Sequence, residues 1–563
     1  MREAAADQPE DDSDTSSDAP LLSLEPSGQI VQLPEALFWR VAWRVIPLPW
    51  LGYVLNIVDR TNLGYAQLQM GHDIGLSARD FGFASGIFFV AYATMQVPAN
   101  HLIGDPSVGA ARVLAASMVL WGASAAATSC IQTPSQLYAL RFALGVSESA
   151  FFPGVLLYLT RWFPEATSGR AMAWFASAAS VGGMIASAGS GALLSGLDGV
   201  LGVRGWRWLL VIEGLPTILL GLITFALLDE RPQDATWLQP SERAALVSAL
   251  ESDEHRRRAE LVKSCALNAP AAVPSRRQSG APASCAPPLP PPSPPPSPPQ
   301  LQSPAAAPIH AAPRPLLRRT LHVTLFTTPC AIFCVQYAAS AAIANTSRSF
   351  LPTLLSEVLL TWSPWSIGLI CAMPAALKVA LSPPIAGWAD CGGSRRRFFA
   401  SWGLYACSAV LLVISGTGML LGGKLGSGPP VMLALVPIVL LAAADVLCQI
   451  AIPIFWSLHH STQPAALRGC SIALTNSIGN GVGGFLGPVI LGAAHDAVKR
   501  GSACRGGACD HVAAQWGGGT LLLGSATLIV TTVSAAVLRA RRPSLLARGG
   551  GARSKAMSHG PCP

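Results

Sequence analysis

The stretch Arg141-Phe-Ala-Leu-Gly-Val-Ser-Glu148-Ser-Ala-Phe-Phe-Pro153-Gly154 decides the fold. It lies in an apolar window, 136–160, long enough to cross the roughly 30 Å of bilayer hydrocarbon at about 1.5 Å per helical residue. Two opposite charges stand inside that window. Arg141 and Glu148 are seven residues apart, close to two helical turns, so both side chains project from one face. An ionised group at the bilayer centre costs about 2.5–3.5 kcal/mol on the insertion scale. The charged face cannot meet lipid. It must meet other helices of the same chain.

The chain supplies them. Windows of spanning length recur at 41–66, 81–103, 110–130, 136–160, 171–197 and 207–228, then at 321–345, 366–388, 398–421, 431–458, 469–492 and 516–538. Composition agrees: mean hydropathy is +0.43, and charged residues are 12% where a soluble chain carries about 25%. Two sets of six, 41–228 and 321–538, around a hydrophilic break at 229–320 describe an all-α membrane protein of two homologous bundles. Most of the 38 Lys and Arg fall on segments sharing a side with both termini, including Arg161, Arg170 and Arg395 to Arg397 in short links. The positive-inside rule then puts both termini and the break in the cytosol.

Residues 1–40 crowd Asp7, Glu10, Asp11, Asp12, Asp14 and Asp18, which suits neither a signal nor a transit peptide and reads as a disordered cytosolic tail. The run Asp18-Ala-Pro-Leu21-Leu22 is similar to an acidic dileucine sorting signal. Within the break, 229–263 is charged and part helical, opening at Pro240-Ser241-Glu242-Arg243. Residues 264–315, led by Pro287-Pro288-Leu289-Pro290-Pro291-Pro292, cannot pack a core and sample polyproline II. That segment is either a spacer between bundles or a docking site for a proline-binding domain. Residues 539–563 form a second disordered tail. The 13 cysteines lack metal-ligand or nucleophile spacing; Cys504 and Cys509 are either two thiols or a disulfide. No His-Glu-x-x-His or Gly-x-Ser-x-Gly run occurs, and His459-His460 are adjacent rather than on one helical face. These absences argue against an enzyme, and no cofactor is expected.

Four segments carry a family resemblance. They are Leu55-Asn56-Ile-Val-Asp59-Arg60-Thr-Asn62-Leu-Gly64, the 141–154 stretch continued through Tyr158 to Pro164, Gly205-Trp206-Arg-Trp208 through Glu213-Gly214-Leu-Pro216, and Asn476-Ser-Ile-Gly479-Asn480 through Gly487-Pro488. In that order the chain resembles the anion:cation symporters of the major facilitator superfamily, which include tartrate, phthalate, galactonate, allantoate and nicotinate permeases and lie near sialin and the vesicular glutamate carriers. The resemblance spans about 41–260 and, more weakly, 320–540. It implies the major facilitator fold, 12 transmembrane helices in two six-helix bundles, working by alternating access. Gly387-Trp-Ala-Asp390 through Arg395-Arg-Arg397 resembles the superfamily's cytoplasmic gate motif; Gly104-Asp105 through Gly109-Ala-Ala-Arg112 is a degraded copy without the base after the Asp. The gating set this implies is Asp105, Arg112, Arg170, Asp390, Arg395 and Arg468.

The intramembrane ionisable residues are Asp59, Arg60, Arg141, Glu148, Glu213, Lys378 and Asp445. Two acids and two arginines converge from the first and fourth stretches. Either they form a static ion-pair network, or Arg60 and Arg141 bind a carboxylate through their planar forks while Asp59 and Glu148 carry protons. The second reading has Glu148 release Arg141 when protonated. Tyr92, Asn345, Asn476 and Asn480 are candidate substrate contacts; the glycines around the last two equally suit helix packing. Lys378 is a second-bundle ligand or a snorkelling lysine, Asp445 has no evident partner, and Glu213 reads as structural. The expected function is proton-coupled symport of a small organic anion. A uniporter or vesicular carrier, or a receptor that no longer transports, are the alternatives. Expected partners are the anion, protons and the lipid bilayer, with no nucleic acid, in the plasma membrane or a vacuolar or other endomembrane.

Overall fold

The structure is a computed structural model and describes residues 33–104, 107–267, 328–359, 362–391, 393–422, 430–462, 468–503 and 512–541. The acidic tail with its dileucine run, the proline-rich segment, the C-terminal tail, Asp105, Cys504 and Cys509 lie outside them, as do the side chains of Asp390 and Arg468. Every regular element among the described residues is helical.

A short amphipathic helix, α1 (Glu35–Val45), bends by 48° into α2 (Pro47–Asp73), where Pro47 suits the first helical turn because its missing N–H would have no intrahelical partner. The first bundle continues with α3 (Ala78–Gly104), α4 (Ala110–Thr128), α5 (Pro134–Glu148), α6 (Phe151–Thr160), α7 (Glu165–Gly196) and α8 (Gly205–Leu227). Helix α9 (Pro240–Leu267) follows, and then the second bundle: α10 (Thr328–Val358), α11 (Pro364–Cys391), α12 (Gly393–Gly422), α13 (Pro430–Thr462), α14 (Arg468–Ile478), α15 (Gly484–Ala503) and α16 (Val512–Arg541). Among the described residues nine helices or helix pairs are long and apolar enough to cross a membrane, and the bent α1–α2 pair makes a tenth. Helices α3 and α10 bring the bundles to six rods each. They are equally long but more polar, with Gln96 on one and Gln336, Asn345 and Arg348 on the other, as befits walls of an internal site.

Two spans are broken, each for a local reason. Pro153 cannot donate a backbone hydrogen bond to the carbonyl four residues back, so the fourth span divides into α5 and α6 at Ser149-Ala150. Ser117 on α4 satisfies one freed carbonyl, its Oγ donating to Ser147 O at 2.6 Å. The upstream end of α5 is held by a capping box of Thr133 and Gln136. In the eleventh span, Gly479–Gly483 forms a single π turn between α14 and α15, a device common at functional sites.

Glycines set how closely the bundles meet. A Cβ on Gly64 would strike the backbone oxygens of Arg348 and Ser349, one on Gly82 the carbonyl of Pro488, and one on Gly368 the carbonyl of Ser187. These contacts join α2 to α10, α3 to α15 and α7 to α11. All three fall toward the face opposite α9. On the α9 face, Arg161 and the backbone N–H groups of Ala110 and Ala111 converge on the Glu230 carboxylate at 2.5–2.9 Å, an acid at a helix N-terminus.

Gly483 meets the Ala338 carbonyl oxygen on α10 so closely that any Cβ would collide with backbone. Gly483→Ala is expected to lower stability by about 1–3 kcal/mol. Thermal unfolding in detergent checks this; an unchanged midpoint would contradict the close α10–π-turn approach.

Candidate functional site

The break after α5 leaves Glu148 at a helix end with no solvent exposure. Arg60 reaches it from α2: Nε donates to Glu148 Oε2 at 2.8 Å and Nη2 lies 2.7 Å from the same oxygen. Both donors thus converge on one oxygen, and Oε1 has no protein partner. Asp59, the neighbouring residue on α2, is buried, accepts from Asn62 Nδ2 at 3.4 Å, and keeps Oδ2 without a protein partner.

Arg141 is arranged differently from the sequence expectation. Glu148 pairs with Arg60, not Arg141, and both arginines lie against one aromatic ring supplied by α3. The Arg141 guanidinium carbon sits 4.7 Å from the Phe88 centroid and that of Arg60 5.2 Å. Gly145 permits this, since a Cβ there would collide with the Phe88 carbonyl. Arg141 is 6% exposed and feels the charges of Asp59 and Glu148. Among the described residues it makes no hydrogen bond or ion pair, and its Nε is without a protein partner. Tyr92, one turn beyond Phe88, is buried with its ring 5.0 Å from the Arg60 guanidinium carbon.

A cavity of about 400 Å³ lies between the bundles. Tyr53, Ile57, Thr61 and Tyr65 on α2 form one wall, at the i, i+4 spacing of a single face. Arg348 on α10, Lys378 on α11 and Asp445 and Gln449 on α13 form the facing wall. The lining of α11 spans both its halves, from Cys371 to Ser382, and that of α13 runs from Asp445 to Pro453, while the glycine contacts of α2–α10 and α7–α11 fall toward the face opposite α9. The four first-bundle charges stand behind the α2 wall, with Arg60 nearest, its side chain 15% exposed.

Arg348 is absent from the sequence expectation. The apolar window was closed at 345, although Phe350-Leu-Pro-Thr-Leu-Leu355 carries the run onward; helix α10 continues to Val358. Asn345 accepts from Arg348 Nη1 at 3.0 Å and donates to Ala341 O at 2.9 Å, so it orients Arg348 and does not line the cavity. Asn480 donates to the side chain and carbonyl of Asn476 at 3.0 and 3.1 Å. Their surrounding glycines pack: a Cβ on Gly479 or Gly484 would strike Tyr337 or Phe89. Lys378 does not snorkel. Its Nζ lies 2.9 Å from Asp445 Oδ2, which gives Asp445 its partner. Glu213 on α8 accepts from Ser190 Oγ at 3.2 Å.

Among the gating residues, Arg170 forms a two-pronged pair with Glu35 of α1 at 2.6 and 2.9 Å and stacks on Phe38 and Trp39. Arg112 is exposed. Arg395 is exposed and lies over Phe399. The Arg161–Glu230 clasp on the α4 N-terminus was not anticipated; Arg161 had been read only as a loop charge.

The model of the Major Facilitator Superfamily matches residues 49–488. The inner membrane transport protein RhmT of Escherichia coli is 28% identical over 447 residues, covering 79% of this chain and 86% of that one. A protein of Agrobacterium vitis named for tartrate transport is 38% identical over 215 residues, 38% of this chain and 49% of the relative. The metabolite transport protein NicT of Pseudomonas putida is 38% identical over 220 residues, 39% and 50% of the two chains. The chain thus spans about half the length of the curated relatives it matches first. Among solved structures, a bacterial homolog of the lysosomal transporter Spinster, inward-facing and unoccupied, aligns with TM-score 0.62 at 16% identity, covering 91% of this chain and 98% of the other. A D-xylose-proton symporter aligns with TM-score 0.59 at 12% identity, covering 88% and 97%. These relatives agree with the anion:cation symporter resemblance of the four sequence segments. The chain belongs to the Major Facilitator Superfamily and is a multi-pass membrane protein.

Proposed function

We propose that this transporter carries a small organic carboxylate together with protons by alternating access. The observation that carries the reading is the buried Arg60–Glu148 pair behind the cavity wall. Arginine holds its charge and offers two parallel donors to a carboxylate. In the resting site both Arg60 donors are occupied by Glu148 Oε2. A proton on Glu148 removes that competitor and frees Arg60 for the substrate. The unpartnered Oε1 is where such a proton would sit. Asp59, with its own free oxygen beside Arg141, is the second proton carrier, and Arg141 the second anion ligand. Anion and proton then enter together without a covalent step. The relative named for tartrate transport supports a carboxylate as cargo. Each proton beyond the substrate's charge gains about 2.3 kcal/mol per 100 mV of inside-negative potential.

Glu148→Gln imitates the protonated acid. In proteoliposomes it is expected to retain counterflow exchange of the anion and to lose accumulation driven by a pH gradient, because the amide cannot load and unload a proton. Full proton-driven accumulation in this variant would remove Glu148 from the coupling step. Arg60→Lys and Arg141→Lys are expected to weaken exchange about tenfold or more, since an ammonium lacks the bidentate fork; exchange at the parental level in both would reject the anion-ligand assignment.

The pair also makes a stability prediction. Arg60→Met alone strands a buried carboxylate, expected to cost about 3–5 kcal/mol. Arg60→Met with Glu148→Gln should recover much of that loss. Thermal unfolding of the two variants side by side decides it; a double variant no more stable than the single one would show that the two side chains are not coupled.

Orientation has its own check. Epitope tags at the N-terminus, within 270–312 and at the C-terminus are expected to resist protease in sealed right-side-out cells and to be cut after permeabilisation. Cleavage of the 270–312 tag from outside would reverse the assigned faces.

A further inference from the structure

Lys378 and Asp445 are not used by the coupling step, yet they line the cavity of about 400 Å³ between the bundles. Lys378 stands near the middle of α11 and Asp445 near the middle of α13. Their Nζ–Oδ2 separation is 2.9 Å, with side chains 28% and 11% exposed. An ammonium has three donors, and Asp445 takes one. The rest of the head group faces the cavity that Lys378 lines. Arg348, on the neighbouring helix, is turned by its bond to Asn345 and lines the same cavity. Two cations and one acid leave this wall with a net positive charge. The opposing α2 wall differs: behind it, Arg60 is matched by Glu148. Tyr53, which lines the cavity on α2, feels the charges of both Arg60 and Arg348. A purely structural ion pair would be packed on all sides and exchangeable for apolar groups; this one borders open space.

We propose that Lys378, positioned by Asp445, is the ligand for a second carboxylate, so that the transporter selects dicarboxylates over the matching monocarboxylates. The inference rests on the reading that Arg60 receives the first carboxylate. A substrate with an acid at each end touches α2 through Arg60 and α11 through Lys378, and so bridges the two bundles. A monocarboxylate satisfies one pole only. The hydroxyls of Thr61, Ser180, Ser187 and Ser382 line the space between and suit hydroxylated carbon chains.

Counterflow exchange of the full-length chain in proteoliposomes tests this with two matched pairs, tartrate against threonate and glucarate against gluconate. The members of each pair differ only by a terminal carboxylate in place of a hydroxymethyl group. The wild type is expected to prefer the diacid in at least one pair. Lys378→Gln is expected to reduce the diacid-to-monoacid ratio of kcat/KM about tenfold, the effect of losing one charge-assisted contact. Because Lys378→Gln leaves Asp445 buried without its cation, Lys378→Met with Asp445→Asn is measured beside it; that variant removes both charges and is expected to lower the ratio equally. A ratio that survives in the double variant, or an equal loss of diacid and monoacid exchange, overturns the inference and assigns the pair to bundle packing. A wild type that exchanges only the monoacids overturns it as well, while leaving the carboxylate reading intact. A wild type that exchanges none of the four anions rejects the carboxylate reading and this inference together.

Discussion

The structure turns on one arginine bonded to one glutamate that solvent does not reach. Glu148 is fully buried, and a bare carboxylate at that depth would not be tolerated. Its position follows from Pro153, which breaks the fourth span and leaves Glu148 at the end of α5. Its partner comes from α2, whose Arg60 reaches Glu148 although α5 packs chiefly against α3 and α4. Phe88 of α3 lies against both guanidinium groups. A proline, a glycine at 145 and an aromatic residue thus serve one electrostatic arrangement.

The contacts between bundles obey a different constraint. Lipid offers no hydrophobic drive for helices to associate, so close approach of small residues has to supply it. Gly64, Gly82 and Gly368 lie where α2, α3 and α11 meet their counterparts, toward one face of the molecule. Between α2 and α7 on one side and α10, α11 and α13 on the other lies the cavity. Rocking of the two bundles would exchange these conditions, opening glycine contacts that hold few side chains. Small residues at such a seam make it separable at modest cost, whereas the Arg60–Glu148 pair lies within one bundle and need not break for the bundles to move.

The spans and the first-bundle charges were readable because their signals are local. Apolar length finds a helix, and a spacing of seven residues places Arg141 and Glu148 on one face. Pairing is not local. Arg60 and Arg141 are both candidates for Glu148 in the sequence, and only the three-dimensional packing shows that Arg60 takes it. Arg348 was lost to a window closed too early, and Lys378 and Asp445 are separated by 66 intervening positions, so no spacing rule could pair them. Glu230 escaped for the same reason: it clasps the N-terminus of α4 from 120 residues downstream. Asn476 and Asn480 were correctly placed on one face, but their bonds to each other depend on the π turn that follows.

An arginine left over from pairing is the remaining physical question of the site. Arg141 is as buried as a residue in a static network would be, yet it stacks on Phe88 and shares a field with two acids without bonding either in the described residues. A guanidinium has five donors in a rigid fork, and burying them unmatched is costly. A structural network would have closed that gap by a small rotation toward Asp59, whose Oδ2 is equally unmatched. The two unmet groups stand beside a closed pair, Arg60–Glu148, in which Glu148 Oε1 is itself unmatched. The proposed exchange draws on this asymmetry: one ion pair closed, one open, and a proton that would decide which acid competes for which arginine.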